Sequence, residues 1–116
     1  MPKIRRKVVT KQARQGDVLI TATEAPKGGA ELPRESGRVV LAHGEVTGHA
    51  HAFTDPGVCR LRLEGAAYDL LQVTEGLVAP LQHEEHDAIR VGAGSYEIRL
   101  QQEWDYLAEL ARQVQD

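Results

Sequence analysis

From Gly16 onward, short apolar runs rich in β-branched residues recur between clusters of Gly, Pro and Asp. GDVLITAT carries Val18, Leu19 and Ile20 beside Thr21 and Thr23. That suits a strand, because branched side chains fit a pleated surface. EAPKGGAELPRESG, residues 24–37, holds two prolines and three glycines and reads as a loop. RVVLAH and HAHAFT are the next strands, and the turn Asp55-Pro56-Gly57 closes the second. VCRLRLEG sets Val58, Arg60, Arg62 and Glu64 against Cys59, Leu61 and Leu63, the period of a half-buried strand. AYDLLQVTEGLVAPLQ is a longer strand region that Gly76 and Pro80 should break. DAIRVGAGSYEIRLQQEW holds two strand pieces around a turn at GAG; in the second, Tyr96, Ile98 and Leu100 alternate with Glu97, Arg99 and Gln101.

The period then changes. In EWDYLAELARQVQD, Trp104, Leu107, Leu110, Ala111 and Val114 follow one helical face, and Asp105 is placed to cap it. No helix pattern lies between the strands, which excludes a parallel βαβ fold. The expected architecture is mainly β: a small single-domain β-barrel or sandwich, residues 16–103, preceded by a basic N-terminal arm, residues 1–15, and followed by a short C-terminal helix, residues 104–116.

Composition narrows this further. The chain has 116 residues, enough for one domain with its own core. Phe53, Tyr68, Tyr96, Trp104 and Tyr106 are its only aromatics, so the core must be built of Val, Leu, Ile and Ala. Cys59 is the single cysteine, which excludes a disulfide framework and a four-cysteine zinc site. No apolar run approaches the roughly 20 residues of a membrane-spanning helix, and the basic N-terminus is not followed by a signal-type apolar stretch. A cytoplasmic protein with no membrane partner is the expectation. The net charge of −3 hides an asymmetry: residues 1–15 carry six cations and no acid, and the remainder carries a net −9. A basic segment on an acidic body can contact nucleic acid through Lys3, Arg5, Arg6 and Lys7, or contact its own body or a second copy. No aromatic is interleaved for base stacking, so nucleic acid is the lesser expectation. The amphipathic tail makes a homodimer reasonable.

The chemistry concentrates in LAHGEVTGHAHAF, residues 41–53, where three of five histidines fall within nine positions. If VVLAH and HAHAF form a hairpin around Gly44–Gly48, His43 lies opposite His49 and Leu41 opposite His51. Cross-strand partners share a face, as do residues two apart, so His43, His49 and His51 would point one way with Val39 and Leu41. Val40, Ala42, Ala50 and Ala52 would point the other. Three imidazoles converging from a rigid sheet suit a divalent ion such as Zn, Fe, Ni or Mn. Everything depends on register, since a slip of one residue would send His43 to the other face. A second cluster, PLQHEEHDAI, holds His83 and His86. Their spacing is not that of the zincin helix, and in a turn they would complete a site begun by the first cluster. Glu45, between the histidines, is the candidate base, with a solvated loop acid as the plainer reading.

At these residues the chain resembles the cupin superfamily, small β-barrels with a metal in the barrel mouth. GEVTGHAH resembles the first cupin motif, and DAIRVGAGSYE resembles the second. The resemblance implies a metal site through His49 and His51. It departs in offering Asp55 where a glutamate ligand is expected and Tyr96 near the place of a histidine. The chain is also similar to small bacterial and phage proteins with a Gly-Glu-x-Thr-Gly-His-x-His segment, a resemblance that brings no activity. Three functions follow: a metal-dependent enzyme on a small-molecule ligand, a module in which the metal only fastens the fold, or an interaction protein whose histidines are structural. Whether the protein is an enzyme stays open at this point. Ser36, Ser95 and Cys59 lack the partners of a nucleophile, and no phosphate-binding glycine loop is present.

Overall fold

The structure is a computed structural model that describes residues 3–44 and 46–101. Its strands are β1 (Ile4–Val9), β2 (Gln12–Gln15), β3 (Val18–Thr23), β4 (Ala30–Glu31), β5 (Val39–His43), β6 (Ala50–Phe53), β7 (Val58–Arg62), β8 (Leu70–Leu81) and β9 (Ala88–Leu100). The fold is mainly β. β8 and β9 form a long antiparallel hairpin that serves as its spine. On its other side β9 pairs with β1, in parallel, along Ala88–Val91, and with β3 along Ser95–Leu100. One sheet runs β2-β3-β9-β8-β7-β4 with β1 added on β9; β5 and β6 form a separate two-stranded hairpin.

The sheets do not close into a barrel, which corrects that expectation. The terminal strands β2 and β4 have four and two residues and do not pair with each other. Closure needs every edge to find a partner along its length. The expected helix over 104–116 lies outside the described residues.

Three further expectations change. Gly76 and Pro80 do not end β8. Its ladder instead shifts between Val73 and Val78, so that residues 74–77 oppose Ala93 alone. A bulge absorbs surplus residues by bending the strand, and the Gly-Ala-Gly segment facing it bends within β9 instead of reversing the chain. The basic segment is also no free arm, because most of it forms β1 and β2. Its cations stay exposed while the backbone pairs, so side-chain pattern did not report the strands. Charge on such strands discourages pairing with other chains. Arg5, Lys7, Lys11 and Arg14 border a shallow cleft beside Ile89.

The core joins both sheets. Val18, Ile20, Leu71, Val73, Val91, Tyr96 and Ile98 of the large sheet cluster with Val39, Leu41 and Phe53 of the β5–β6 hairpin. Each such side chain fully buried contributes about 1.5–3 kcal/mol. Tyr96 is the largest of them, and its buried hydroxyl donates to the Gly92 carbonyl at 2.7 Å. Two polar connections fix the hairpin. Ala52 and Gln82 exchange backbone hydrogen bonds of 2.9 Å each, which seats β6 beside the end of β8. Arg60 of β7 donates to the Val40 and Leu41 carbonyls at 2.7 and 3.3 Å. As a result β6 lies against the 82–87 loop that joins β8 to β9.

Candidate metal centre

The expected hairpin register holds at one end only. Val39 pairs with Phe53 and Val40 with Ala52, as the alternation requires. A shift then intervenes, and beyond it Ala42 pairs with His51 and His43 with Ala50. Leu41 is the extra residue of a β-bulge. One consequence agrees with the sequence reading: His51, buried at 6 % exposure, shares the inner face with Val39, Leu41 and Phe53. The other corrects it. The bulge turns His43 to the Ala50 face, where its side chain is 66 % exposed and its Nε2 lies 3.0 Å from Glu35 Oε1. His43 stands at the rim of the cleft, paired with an acid and apart from the other rings.

Those other four gather. His83 and His86 project from the 82–87 loop toward His51 on β6. The ring centroids of His51 and His83 are 4.3 Å apart, those of His83 and His86 4.7 Å, and those of His51 and His86 5.6 Å. One ring nitrogen from each of these three lies within 4.8 Å of the others. His49, at the end of the β5–β6 loop, stands edge-on to His83 with centroids 6.0 Å apart. Among the described residues its Nδ1 is buried without a hydrogen-bond partner, and the nearest acid, Glu85 Oε1, is 3.8 Å away. Glu45, the candidate base, lies outside the described residues.

Two glycines let the backbone come this close. A Cβ on Gly16 would meet His86 Nε2 at 2.8 Å and His51 Cε1 at 3.2 Å, and its φ of +57° belongs to the left-handed region. A Cβ on Gly44 would meet His83 Nε2 at 3.2 Å. The cluster opens into a cleft of about 750 Å³ that Asp17, Glu85 and Val46 also line.

The electrostatics favour neutral rings. Burial pushes the His51 imidazole down to about 4, helped by His83 and His86, while Asp17 and Glu84 pull weakly the other way. Burial and His86 likewise lower His83. A neutral imidazole has a lone pair to offer, and a protonated one has none. Around a tetrahedral ion with bonds of roughly 2.0–2.1 Å, nitrogens sit about 3.4 Å apart. To share one ion the nitrogens would draw together from within 4.8 Å, and His83 would give up the bond its Nδ1 accepts from the Glu85 N–H to offer a lone pair. His51, His83 and His86 are the residues that could hold it, with His49 or Glu85 next in reach.

Two further residues hold the site, Glu84 from within the second sequence cluster and Gln15, which carries no local signal. Glu84 accepts the Ala50 N–H at 2.7 Å, tying the histidine loop to β6. Gln15, 3 % exposed, bonds to His51 and to both flanks of the loop. It lies 36 residues from His51 in a segment that reads as basic and solvated, so only the pairing of β2 with β3 reveals it.

No curated protein and no solved structure matches the chain. A family described as a domain of unknown function, DUF8820, matches residues 14–101. That span contains every strand from β3 to β9 and every residue of the histidine cluster. The chain belongs to the DUF8820 family.

Proposed function

We propose that this chain is a metal-binding β domain that holds one divalent transition-metal ion through His51, His83 and His86. A position of that ion would stay open to the cleft for a small-molecule ligand. The convergence of three nitrogens within 4.8 Å is the observation that carries the reading. Two of the three rings, His51 and His83, are buried, where a polar group left without a partner is costly. The depressed basicity of His51 and the unpartnered Nδ1 of His49 support it. An all-imidazole set suits Zn, Fe, Ni or Cu better than Mg or Ca, which prefer oxygen. When bound, such an ion supplies Lewis acidity and a water of lowered pKa. The chain's own residues would orient it, keep its walls dry through Leu41, and present Asp17 and Glu85 at the mouth. Of the His-x-His pair behind the cupin resemblance, His51 is the principal ligand in this reading and His49 the reserve.

A second reading has its own observation. The Glu85 N–H donates to His83 Nδ1 at 3.0 Å, a bond that orders the loop with no ion. In that reading the histidines are a hydrogen-bonded plug of a non-catalytic interaction module. Elemental analysis of protein made without a histidine tag, before and after loading with Zn²⁺ or Co²⁺, separates the two. The expected result is about one ion per chain, lost in His51→Ala and His86→Ala. Wild-type protein that neither carries nor takes up an ion rules the proposal out. If an ion binds, the Co²⁺ spectrum reports whether a water completes its coordination, as an open site requires.

A further inference from the structure

The buried amide of Gln15 touches three parts of the histidine cluster at once. Its Nε2 lies 2.9 Å from the Leu81 carbonyl and 2.8 Å from the Asp87 carbonyl. These two residues bracket the loop that carries His83 and His86. Its Oε1 lies 2.9 Å from His51 Nδ1. The amide has only one acceptable orientation here. Carbonyl oxygens accept and cannot donate, so the NH₂ group must face both of them, and Oε1 is left to face His51. An amide oxygen is purely an acceptor, so His51 Nδ1 must be the donor. A neutral imidazole carries one ring proton, and once it sits on Nδ1 the Nε2 lone pair is free.

We propose that Gln15 is the positioning residue of this centre. It locks His51 as the Nδ1–H tautomer with Nε2 available to an ion, and it clamps the ends of the loop that brings His83 and His86 alongside. The inference rests on the metal-binding reading for its purpose, but its tautomer assignment holds in metal-free protein. Three features agree with it. Gln15 is nearly inaccessible, so its polar atoms have no water to fall back on. It is followed by Gly16, the residue whose missing Cβ leaves room for His86 and His51. Finally, ion-binding histidines generally have the second ring nitrogen held by an outer hydrogen bond, and loss of that partner costs roughly 10–100-fold in affinity.

The test uses metal-free full-length protein first. Long-range ¹H–¹⁵N spectra distinguish a protonated from an unprotonated ring nitrogen. His51 is expected as Nδ1–H in wild type, and in Gln15→Met as a mixture shifted toward Nε2–H. Gln15→Glu keeps the acceptor and loses the two donors, so its His51 should remain Nδ1–H while the 82–87 amide resonances move. That variant carries the test if Gln15→Met does not fold. Zn²⁺ competition should then show affinity about 10–100-fold weaker in Gln15→Met. An Nε2–H His51 in wild type overturns the proposal. So does a folded Gln15→Met with an unchanged tautomer, or an Nε2–H His51 in Gln15→Glu. If wild type shows the expected tautomer but takes up no ion, the metal reading fails and the lock itself stands.

Discussion

The two ends of β8 each carry a dense polar cluster, and the two are built in opposite ways. Before Leu70, Asp69 is gripped by two arginines. Arg60 Nε donates to Oδ2 at 2.9 Å, and Arg62 donates to Oδ1 and Oδ2 at 3.0 and 2.9 Å. The Arg62 and Arg60 guanidiniums hold the Asp69 carboxyl below the usual carboxylate range, against the opposing effect of burial. Arg60 also satisfies two carbonyls of β5. After Leu81 the histidine cluster has two rings of depressed basicity and, among the described residues, an unpartnered nitrogen, with Asp17, Glu84 and Glu85 only near its edge. In the first cluster donors and acceptors match, so it holds strands together. In the second, His51 faces Gln15 through Nδ1, and its Nε2 lone pair is the one turned to the other rings, where a cation could be received.

The largest effect separating the two should come from metal. At an ion concentration of 1,000 Kd, wild type should gain about 4 kcal/mol of stability from binding. His51→Ala should gain less than about 1.5 kcal/mol, since losing a direct ligand costs more than the roughly 10–100-fold of losing an outer partner. Asp69→Ala should gain as much as wild type. Denaturant titrations with Zn²⁺ and with chelator measure all three. Equal gains in wild type and His51→Ala would place the ion elsewhere.

Acid should come next, and it acts on the clusters in different windows. In the unfolded metal-free chain His51 takes its proton near 6.5, whereas in the fold it resists until about 4. Lowering pH across that interval therefore favours the unfolded chain. The loss should be on the order of 2–3 kcal/mol, complete near pH 4. Asp69 is depressed from its ordinary 3.8, so its contribution is present above that pH and is lost only as pH falls below it. Urea midpoints of metal-free protein at pH 7, 5.5 and 4.5 test this. The His51→Gln variant, which cannot titrate, should show a visibly shallower decline. An identical decline would mean that the buried histidine is not the titrating group.

Much of this arrangement is legible in the sequence, and the illegible parts share a cause. Alternation put His51, Val39 and Leu41 on one face and Val40, Ala50 and Ala52 on the other, because a strand's period is fixed by geometry; it also put Ala42 with the second set and His43 with the first, and the bulge exchanges those two. The neighbouring cluster at His83 and His86 stood out because histidines are otherwise absent. The bulge left no mark: Leu41 is apolar and buried in either register. Gln15 left none either, since a buried glutamine and a surface glutamine look alike until their partners are known. β1 and β2 were obscured because their pairing is made by backbone while most of their side chains face water, with Val9, Ala13 and Gln15 turned inward. Local pattern reports which face is buried; it does not report long-range partners.

A smaller effect is expected from opening the closed cluster. Asp69→Ala leaves the half-buried Arg60 without its carboxylate, at a cost of about 2 kcal/mol. For a domain of this size that corresponds to a drop of roughly 8 °C in Tm. Asp69→Asn keeps one acceptor and should lose less. Calorimetry of both variants at pH 7 measures the difference. If the two lose nothing, the arginines are adequately solvated and the cluster is not a fastening.

The smallest expected effect is the sharpest test of where the histidine cluster ends. His43 has the right residue type, the right neighbourhood in sequence and a place on the rim of the same cleft. Before the bulge is taken into account it is indistinguishable from a ligand. Its side chain is nevertheless two-thirds exposed, and its contact with Glu35, itself 56 % exposed, is a surface pair. Such pairs contribute about 0–1 kcal/mol and weaken with salt. His43→Ala should accordingly shift stability by less than about 0.5 kcal/mol and leave ion affinity and stoichiometry unchanged. Glu35→Ala should behave the same way. Deleting Leu41 should not change this outcome: it removes the bulge but keeps Ala42 opposite His51 and His43 opposite Ala50, so His43 stays on the Ala50 face. A variant lacking Leu41 in which His43→Ala weakens Zn²⁺ binding would show that the pairing with Ala50 does not fix the direction of His43. If His43→Ala already weakens binding in the wild-type background, the ring reaches the ion from the rim, and the boundary drawn between His43 and the other four histidines is wrong.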